Sequence, residues 1–409
     1  MKNSIAVIGG GASGTVAAAF CEPQDEREVT LFEKNPRCGK KILITGKGRC
    51  NLTNDCDARE FLSNVVRGEK FLRSAIYRFP PERTMELFES LGVPLKTERG
   101  RRVFPVSENA ADIRDALENL VRSRGVKLIH ARVKSVKKAD GGFEVMYDGG
   151  AKRFDRVIIA TGGLSYPGTG STGDGYGFAR ELGHRVTELS GSLTGLICRE
   201  KDICKALEGL SLKNVRVDLS GKKGTVYSQQ GEMLFTDDGV SGPLILSASA
   251  HVESGDDYRV YIDLKPALTA EELDKRLLGD FSQNINRDLI NSLDALLPKR
   301  LIPVTVALSG IDPRQKVNTV SREQRKKLLG VLKGFPLTVE KKEPVERAVV
   351  TRGGVDLTQI DPGTMGSKLV PGLYFCGEIL DADAYTGGFN LQIAFATGAA
   401  AGTAAKEGK

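Results

Sequence analysis

"SIAVIGGGASGTVAAAF", residues 4–20, decides how this chain of 409 residues is read. An apolar run enters Gly9-Gly10-Gly11-Ala12-Ser13-Gly14 and leaves it through an Ala-rich stretch, which predicts strand, tight turn and helix. Gly9, Gly11 and Gly14 fit G-x-G-x-x-G. The first glycine permits the turn, the second lets backbone approach a pyrophosphate, and the third lets the helix pack on the strand. Phosphates would then meet the free N–H groups and positive dipole end of the helix, at Ala12 and Ser13. A second strand signal, "EVTLFEK" at 28–34, ends in Glu33, 22 residues after Gly11. A carboxylate there accepts hydrogen bonds from an adenosine ribose and disfavours a 2′-phosphate, so the expected ligand is FAD or NAD rather than NADP.

Working outward, helical patterns are expected at Phe61–Tyr77, at Pro81–Leu91 and after Ser107, a candidate N-cap, with Gly125 closing that last helix. Four short strand signals follow between Val126 and Ile159, two of their turns marked by Asp140-Gly141-Gly142 and Asp148-Gly149-Gly150. The texture changes at about Leu193. Residues 193–347 read as an inserted domain, β-rich over 193–265 and about 334–347 and helical over about 266–333, with helical patterns at Glu271–Leu296 and Arg322–Leu332. Residues 1–192 and 348–409 are the two parts of one dinucleotide-binding domain. The small-residue run Ile393–Ala405 is expected to be a tightly packed helix.

Composition narrows the function classes. The net charge is +7, from 59 Lys and Arg against 52 Asp and Glu, and no aromatic residues interleave with the basic clusters Arg99–Arg102, Lys137–Lys138 and Arg325–Lys327. Solvated faces are the expected reading, and no nucleic-acid partner is expected. Seven cysteines, an odd number at spacings matching neither C-x-x-C nor C-x-x-x-x-C, predict reduced thiols without a metal site. No leader or apolar stretch of membrane-spanning length is read, so a cytoplasmic protein without a membrane partner is expected.

"GKKILITGKGRCNLTN" at 39–54 is no Walker loop, because Lys47 is followed by Gly48 rather than Ser or Thr. Together with "ATGGLSYPGTGSTGDGYGFARELGH" at 160–184, "GEMLFTDDGVSGPLILSAS" at 231–249 and "TMGSKLVPGLYFCGEILDADAYTGGFNLQIAFATG" at 364–398, it resembles the bacterial family of aminoacetone oxidase-like and oxo-bile-acid reductase-like NAD(P)/FAD-dependent oxidoreductases. The likeness covers nearly the whole chain. It implies an α/β fold in which an FAD-binding Rossmann-like domain of the glutathione reductase and fumarate reductase type carries the inserted domain.

The resemblance further implies noncovalent FAD, with Gly9–Gly14 at the pyrophosphate, Glu33 and Lys34 at the ribose and the Val133 backbone beside the adenine. Ala160, Thr161 and Gly162 would cross back over the dinucleotide, Gly377 and Glu378 would meet ribitol or pyrophosphate, and Gly388, Phe389, Asn390 and Leu391 would aim a helix N-terminus at the flavin pyrimidine. Negative charge on reduced flavin is stabilised by a positive dipole end. The loop containing Lys41, Thr45, Gly46, Arg49, Cys50 and Asn51 would cradle the flavin, with Cys50 a packed thiol rather than half of a disulfide shuttle.

Tyr166, Arg352 and Tyr385 lie in motifs expected to approach the ring, but the sequence assigns no catalytic residue. The expected activity is an FAD-dependent oxidoreductase reduced by NAD(P)H and passing hydride to a small organic acceptor, an enone-type C=C, or to oxygen. The alternative is an RNA-acting or RNA-binding flavoprotein. The sequence fixes no oligomeric state.

Overall fold

The computed structural model describes residues 3–24, 26–253 and 255–409. They divide into two compact units, one formed by Met1–Ser192 with Pro344–Lys409 and the other by Leu193–Glu343.

The first unit is built on a five-stranded parallel sheet in the order Leu373–Phe375, Arg156–Ile159, Asn3–Ile8 (β1), Arg27–Glu33 (β2) and Lys127–His130. Ile5, Ala6 and Val7 are wholly buried, as a central parallel strand requires. Helix α1, Ala12–Phe20, follows β1. It packs against the C-terminal helix, Phe389–Glu407, at backbone contact: a Cβ on Gly398 would lie 2.4 Å from the Ser13 carbonyl oxygen, and one on Gly402 would lie 2.3 Å from that of Ala17. The small-residue run therefore exists to let two helices approach, which brings both ends of the chain to the same site. No helix among the described residues is long and apolar enough to cross a membrane.

Because the sheet is parallel, the segments that follow β1, β2, Arg156–Ile159 and Leu373–Phe375 all leave from one edge. In open α/β sheets, ligands bind outside that carboxyl edge.

Three local readings are corrected. The pattern over Phe61–Tyr77 is two helices, Ala58–Ser63 and Glu69–Arg78, separated by the strand Val65–Arg67 and by Gly68 at φ +82°. Between Val126 and Ile159 there are five strands, not four, since Asp155 breaks the last apolar run into Gly150–Phe154 and Arg156–Ile159. Ser107 is not the N-cap: Asn109 caps the helix Ala110–Ser123 by accepting from the Ala111 N–H at 3.0 Å.

The second unit has its own core around a closed antiparallel barrel of six strands, Leu196–Cys198, Gly239–Ser241, Gly224–Phe235, Ser211–Gly221, Tyr258–Asp263 and Phe335–Lys342. Its helices include Ala270–Gln283, Leu301–Ser309 and Arg322–Lys333. The pattern read as Glu271–Leu296 stops at Gln283, where the polar Asn284-Ile285-Asn286 turn offers no continuing apolar face.

Candidate functional site

The glycine turn after β1 has the form its spacing predicts. Gly9 sits at φ +103°, where a Cβ would meet the Ala160 carbonyl oxygen at 2.5 Å, and a Cβ on Gly14 would lie 1.8 Å from the Gly9 oxygen. Gly11 differs from both: nothing lies within 4 Å of its Cβ position. It is the N-cap of α1, with no side-chain cap bond, so the first-turn N–H groups at Ala12, Ser13 and Gly14 face an open floor without an acceptor from a capping side chain. An unblocked floor in front of an uncapped helix end is a cradle of the shape and polarity a pyrophosphate needs.

Glu33, 7% exposed, ends β2 beside this turn. One carboxylate oxygen accepts from the Gly10 N–H at 2.8 Å, and the other accepts from the Asn35 backbone and side-chain N–H groups, both at 2.7 Å. Three of about four acceptor sites are thereby used, which leaves capacity for a ribose hydroxyl. Lys34 is held by Thr172 and Asp174, and Val133 opens a neighbouring strand, paired with Tyr147.

The C-terminal helix presents a second uncapped N-terminus. Its N-cap Gly388 has φ +98°, and a Cβ there would lie 2.3 Å from the Thr53 carbonyl oxygen. With its amide oriented to match its partners, Asn51 donates to the Thr53 and Val103 carbonyls and accepts from the Gly388 N–H at 3.1 Å. Asn390 clasps the backbone of Ala384 and Tyr385, and Phe389 packs its ring edge on Phe61. Leu391 follows in the same turn.

The 44–51 loop is thus tied to that helix end. It runs through left-handed Gly46, Lys47, Gly48 and Cys50, and is closed by the Cys50 N–H donating to the Thr45 carbonyl at 3.1 Å. Burial pushes the Cys50 thiol up to about 12, so it carries no thiolate at neutral pH. Arg49 bonds into this loop through its backbone, its N–H donating to the Gly46 carbonyl at 3.3 Å. Its guanidinium pairs with both oxygens of Glu98 at 2.9 and 3.3 Å and stacks 4.1 Å over the Phe104 ring.

Lys41 and Glu378, far apart in sequence, meet at 2.7 Å. Ser165 lies 2.6 Å from the ammonium and donates to Glu378 at 2.8 Å, and the Thr351 N–H donates to the same carboxylate at 2.9 Å. Burial pushes Glu378 up, but the Lys41 ammonium and these donors outweigh it, so the carboxyl stays below its usual range. Gly377, at φ +80°, abuts Ser13: a Cβ would lie 2.3 Å from the serine hydroxyl. The structure therefore brings together the residues around 9–14, 33, 41, 45–51, 160–162, 377–378 and 388–391 along one edge. Val133 stands on the separate three-stranded sheet, paired with Tyr147.

Sequence reasoning missed the partners that lock this edge. Gln392 is fully buried, accepts from Thr53 and Thr84 hydroxyls at 2.7 Å each and donates to the Phe79 carbonyl at 2.8 Å. Ser165 and Thr351 carried no signal beyond lying next to a glycine motif.

Asp383 was missed too. It is 2% exposed, accepts from Ser192 at 2.6 Å and leaves its other oxygen buried without a partner. Burial pushes its pKa up, with Asp381 adding to the rise, and Ser192, Arg67 and Arg352 offset only part of it. A carboxyl whose folded pKa is raised stabilises the fold fully below its unfolded pKa, and that contribution is lost as pH rises through the folded value. Asp383→Asn is therefore expected to match wild type in thermal stability in acid and to melt progressively higher than wild type toward neutral pH. Melting curves across that range check it, and a constant difference between the two proteins would contradict it.

A surface cavity of about 560 Å³, lined by Lys137, Lys138, Glu181, Leu182 and Val370 among others, includes none of the residues at 9–14, 33, 41, 45–51, 160–162, 377–378 or 388–391.

A parallel sheet with a glycine turn at its central strand, a buried carboxylate at the end of the next strand and a second helix N-terminus from late in the chain defines a Rossmann-like protein. The chain belongs to the HI0933-like family, whose Rossmann-domain model matches residues 3–404; this is an FAD-binding family, and the chain is an enzyme of the flavin-dependent oxidoreductase class. It is 34% identical to the 3-dehydro-bile acid delta(4,6)-reductase of Clostridium scindens, over 99% of both chains. It is 31% identical to the ribosomal RNA dihydrouridine synthase of Escherichia coli, over 96% of this chain and 95% of that protein. The fold alone is shared with the 3-ketosteroid delta1-dehydrogenase of Sterolibacterium denitrificans, at a TM-score of 0.50 and 13% identity over the full length of both chains.

Proposed function

We propose that this protein is an FAD-dependent reductase that saturates a C=C bond conjugated to a carbonyl in a small organic substrate, with NAD(P)H as electron donor. One observation carries the reaction type. Both relatives are similar to this chain over nearly its whole length, and both names describe the same bond change: saturation of a ring C=C conjugated to a carbonyl, in a 3-oxo-4,6-diene or in uracil.

FAD, when bound, supplies the hydride chemistry. The chain's own residues hold and orient it: the α1 N-terminus and Gly9–Gly14 at the pyrophosphate, Glu33 at the ribose, and the Gly388–Leu391 helix end, fastened by Asn51, where negative charge would collect. Lys41 keeps Glu378 ionised beside that site.

The small-molecule reading is preferred over RNA because much of the basic face near the 44–51 loop is already engaged in ion pairs within the protein. Arg49 and Lys96 share Glu98 and Glu108, and Arg101 pairs with Glu60. An RNA substrate is the second reading, favoured by the similarity to the dihydrouridine synthases of Escherichia coli and Haemophilus influenzae.

Anaerobic titration of the FAD-loaded protein with NADH and then NADPH tests the donor. Rapid bleaching of the flavin band with one of them is expected, and persistence with both would remove NAD(P)H from the scheme. Retardation of ribosomal RNA that weakens steeply with salt would instead favour the second reading, because phosphate contacts release counterions.

A further inference from the structure

Tyr166 follows Ser165, the hydroxyl that bridges Lys41 and Glu378, and has φ +52° and ψ 61°. A bulky side chain in the left-handed region is an outlier that surrounding structure must enforce. Here the enforcement is visible. The Leu164 and Ser165 N–H groups donate to the Thr351 hydroxyl oxygen at 2.7 and 3.2 Å, the Tyr166 N–H donates to the Glu346 carbonyl at 3.1 Å, and the Tyr166 carbonyl accepts from both the N–H and the hydroxyl of Thr169 at 2.8 Å.

A glycine would take this conformation without strain. The chain instead keeps a tyrosine, and 38% of it is open to solvent. Two further residues with exposed apolar side chains bond through their backbones to members of the same cluster: Val349, 36% exposed, whose carbonyl accepts from Ser165, and Ile44, 44% exposed, whose N–H donates to the Lys41 carbonyl.

We propose that Tyr166 is the substrate platform: its ring face stacks on the planar, carbonyl-conjugated ring of the substrate, flanked by Val349 and Ile44 and set beside the Lys41 ammonium. This rests on the reading of the protein as a reductase of conjugated C=C bonds, and it names the part of the substrate that is recognised. Stacking asks only for a flat π face, so a steroid enone and a uracil base both satisfy it.

The test titrates oxidised, FAD-loaded protein with 4-androstene-3,17-dione and, in a second arm, with a uridine oligonucleotide, following the shift of the flavin band. Wild type and Tyr166→Phe are expected to bind one of the two alike, and Tyr166→Ala and Tyr166→Gly to bind it about 10- to 100-fold more weakly. Tyr166→Gly is also expected to melt above Tyr166→Ala, because glycine alone accepts the left-handed backbone. The arm that binds identifies the source of the ring. Equal affinity across the four proteins, or no binding to wild type in either arm, would overturn the platform. Tyr166-dependent binding with no substrate reduction by protein whose flavin has already been reduced would overturn the reductase reading and leave the platform standing.

Discussion

Gly11→Asp is expected to keep its fold and to lose FAD. Gly11 has φ −79° and ψ −168°, ordinary extended backbone, and nothing lies within 4 Å of its Cβ position. Aspartate is a favoured N-cap and a favourable charge at a helix N-terminus, so α1 gains an acceptor it lacks. That same carboxylate occupies the floor and takes the N–H groups a pyrophosphate would use, with like charge opposing it. FAD affinity is expected to fall at least about 100-fold, near 2.7 kcal/mol, while the thermal stability of cofactor-free protein holds or rises. Equilibrium dialysis against FAD, together with melting curves without it, separates the two effects. Gly14→Ala is the contrasting control, since its methyl would sit 1.8 Å from the Gly9 oxygen and the fold itself should fail.

The second large effect is expected at Gln392. Its amide accepts from two buried hydroxyls and donates to the Phe79 carbonyl, joining the C-terminal helix to the Thr53 strand and to the helix Pro81–Ser90. Gln392→Leu preserves most of the volume but strands these partners in the core. Each buried polar group left unpaired costs about 1–3 kcal/mol, and the Thr53 and Thr84 hydroxyls can partly recover by turning to other acceptors, so a loss of about 2–4 kcal/mol is expected. Chemical denaturation measures it directly. Gln392→Glu should do less harm to Thr53 and Thr84 than to Phe79, whose carbonyl would lose its donor. A leucine variant as stable as wild type would show that this node does not hold the site together.

The frame of this protein was legible in its sequence because a few residues carry steric requirements that only one backbone arrangement meets. Gly9 and Gly14 demand a strand–turn–helix, and the run Ile393–Ala405 demands a close helix partner, which proves to be α1. What stayed hidden is set by pairings across long sequence separations. Nothing in the neighbourhood of Lys41 announces Glu378, and nothing around Asn51 announces the Gly388 N–H. Nor does anything around Arg49 announce Glu98 and Phe104, between which its planar guanidinium rests. The break at Val65–Arg67 was equally hidden, since those residues pair with Asp383 and Ala384, more than three hundred positions away, and that pairing overrides local helical periodicity.

Reduction of a C=C bond conjugated to a carbonyl is the activity we propose for this protein. It is tested most directly by reducing the FAD-loaded protein anaerobically and mixing it with a 3-oxo-4-ene steroid while following the flavin absorbance and the mass of the product. Return of the oxidised band, with a product heavier by two hydrogens, is the predicted result. A band that stays bleached with the steroid, and equally with uridine-containing RNA, would contradict the account.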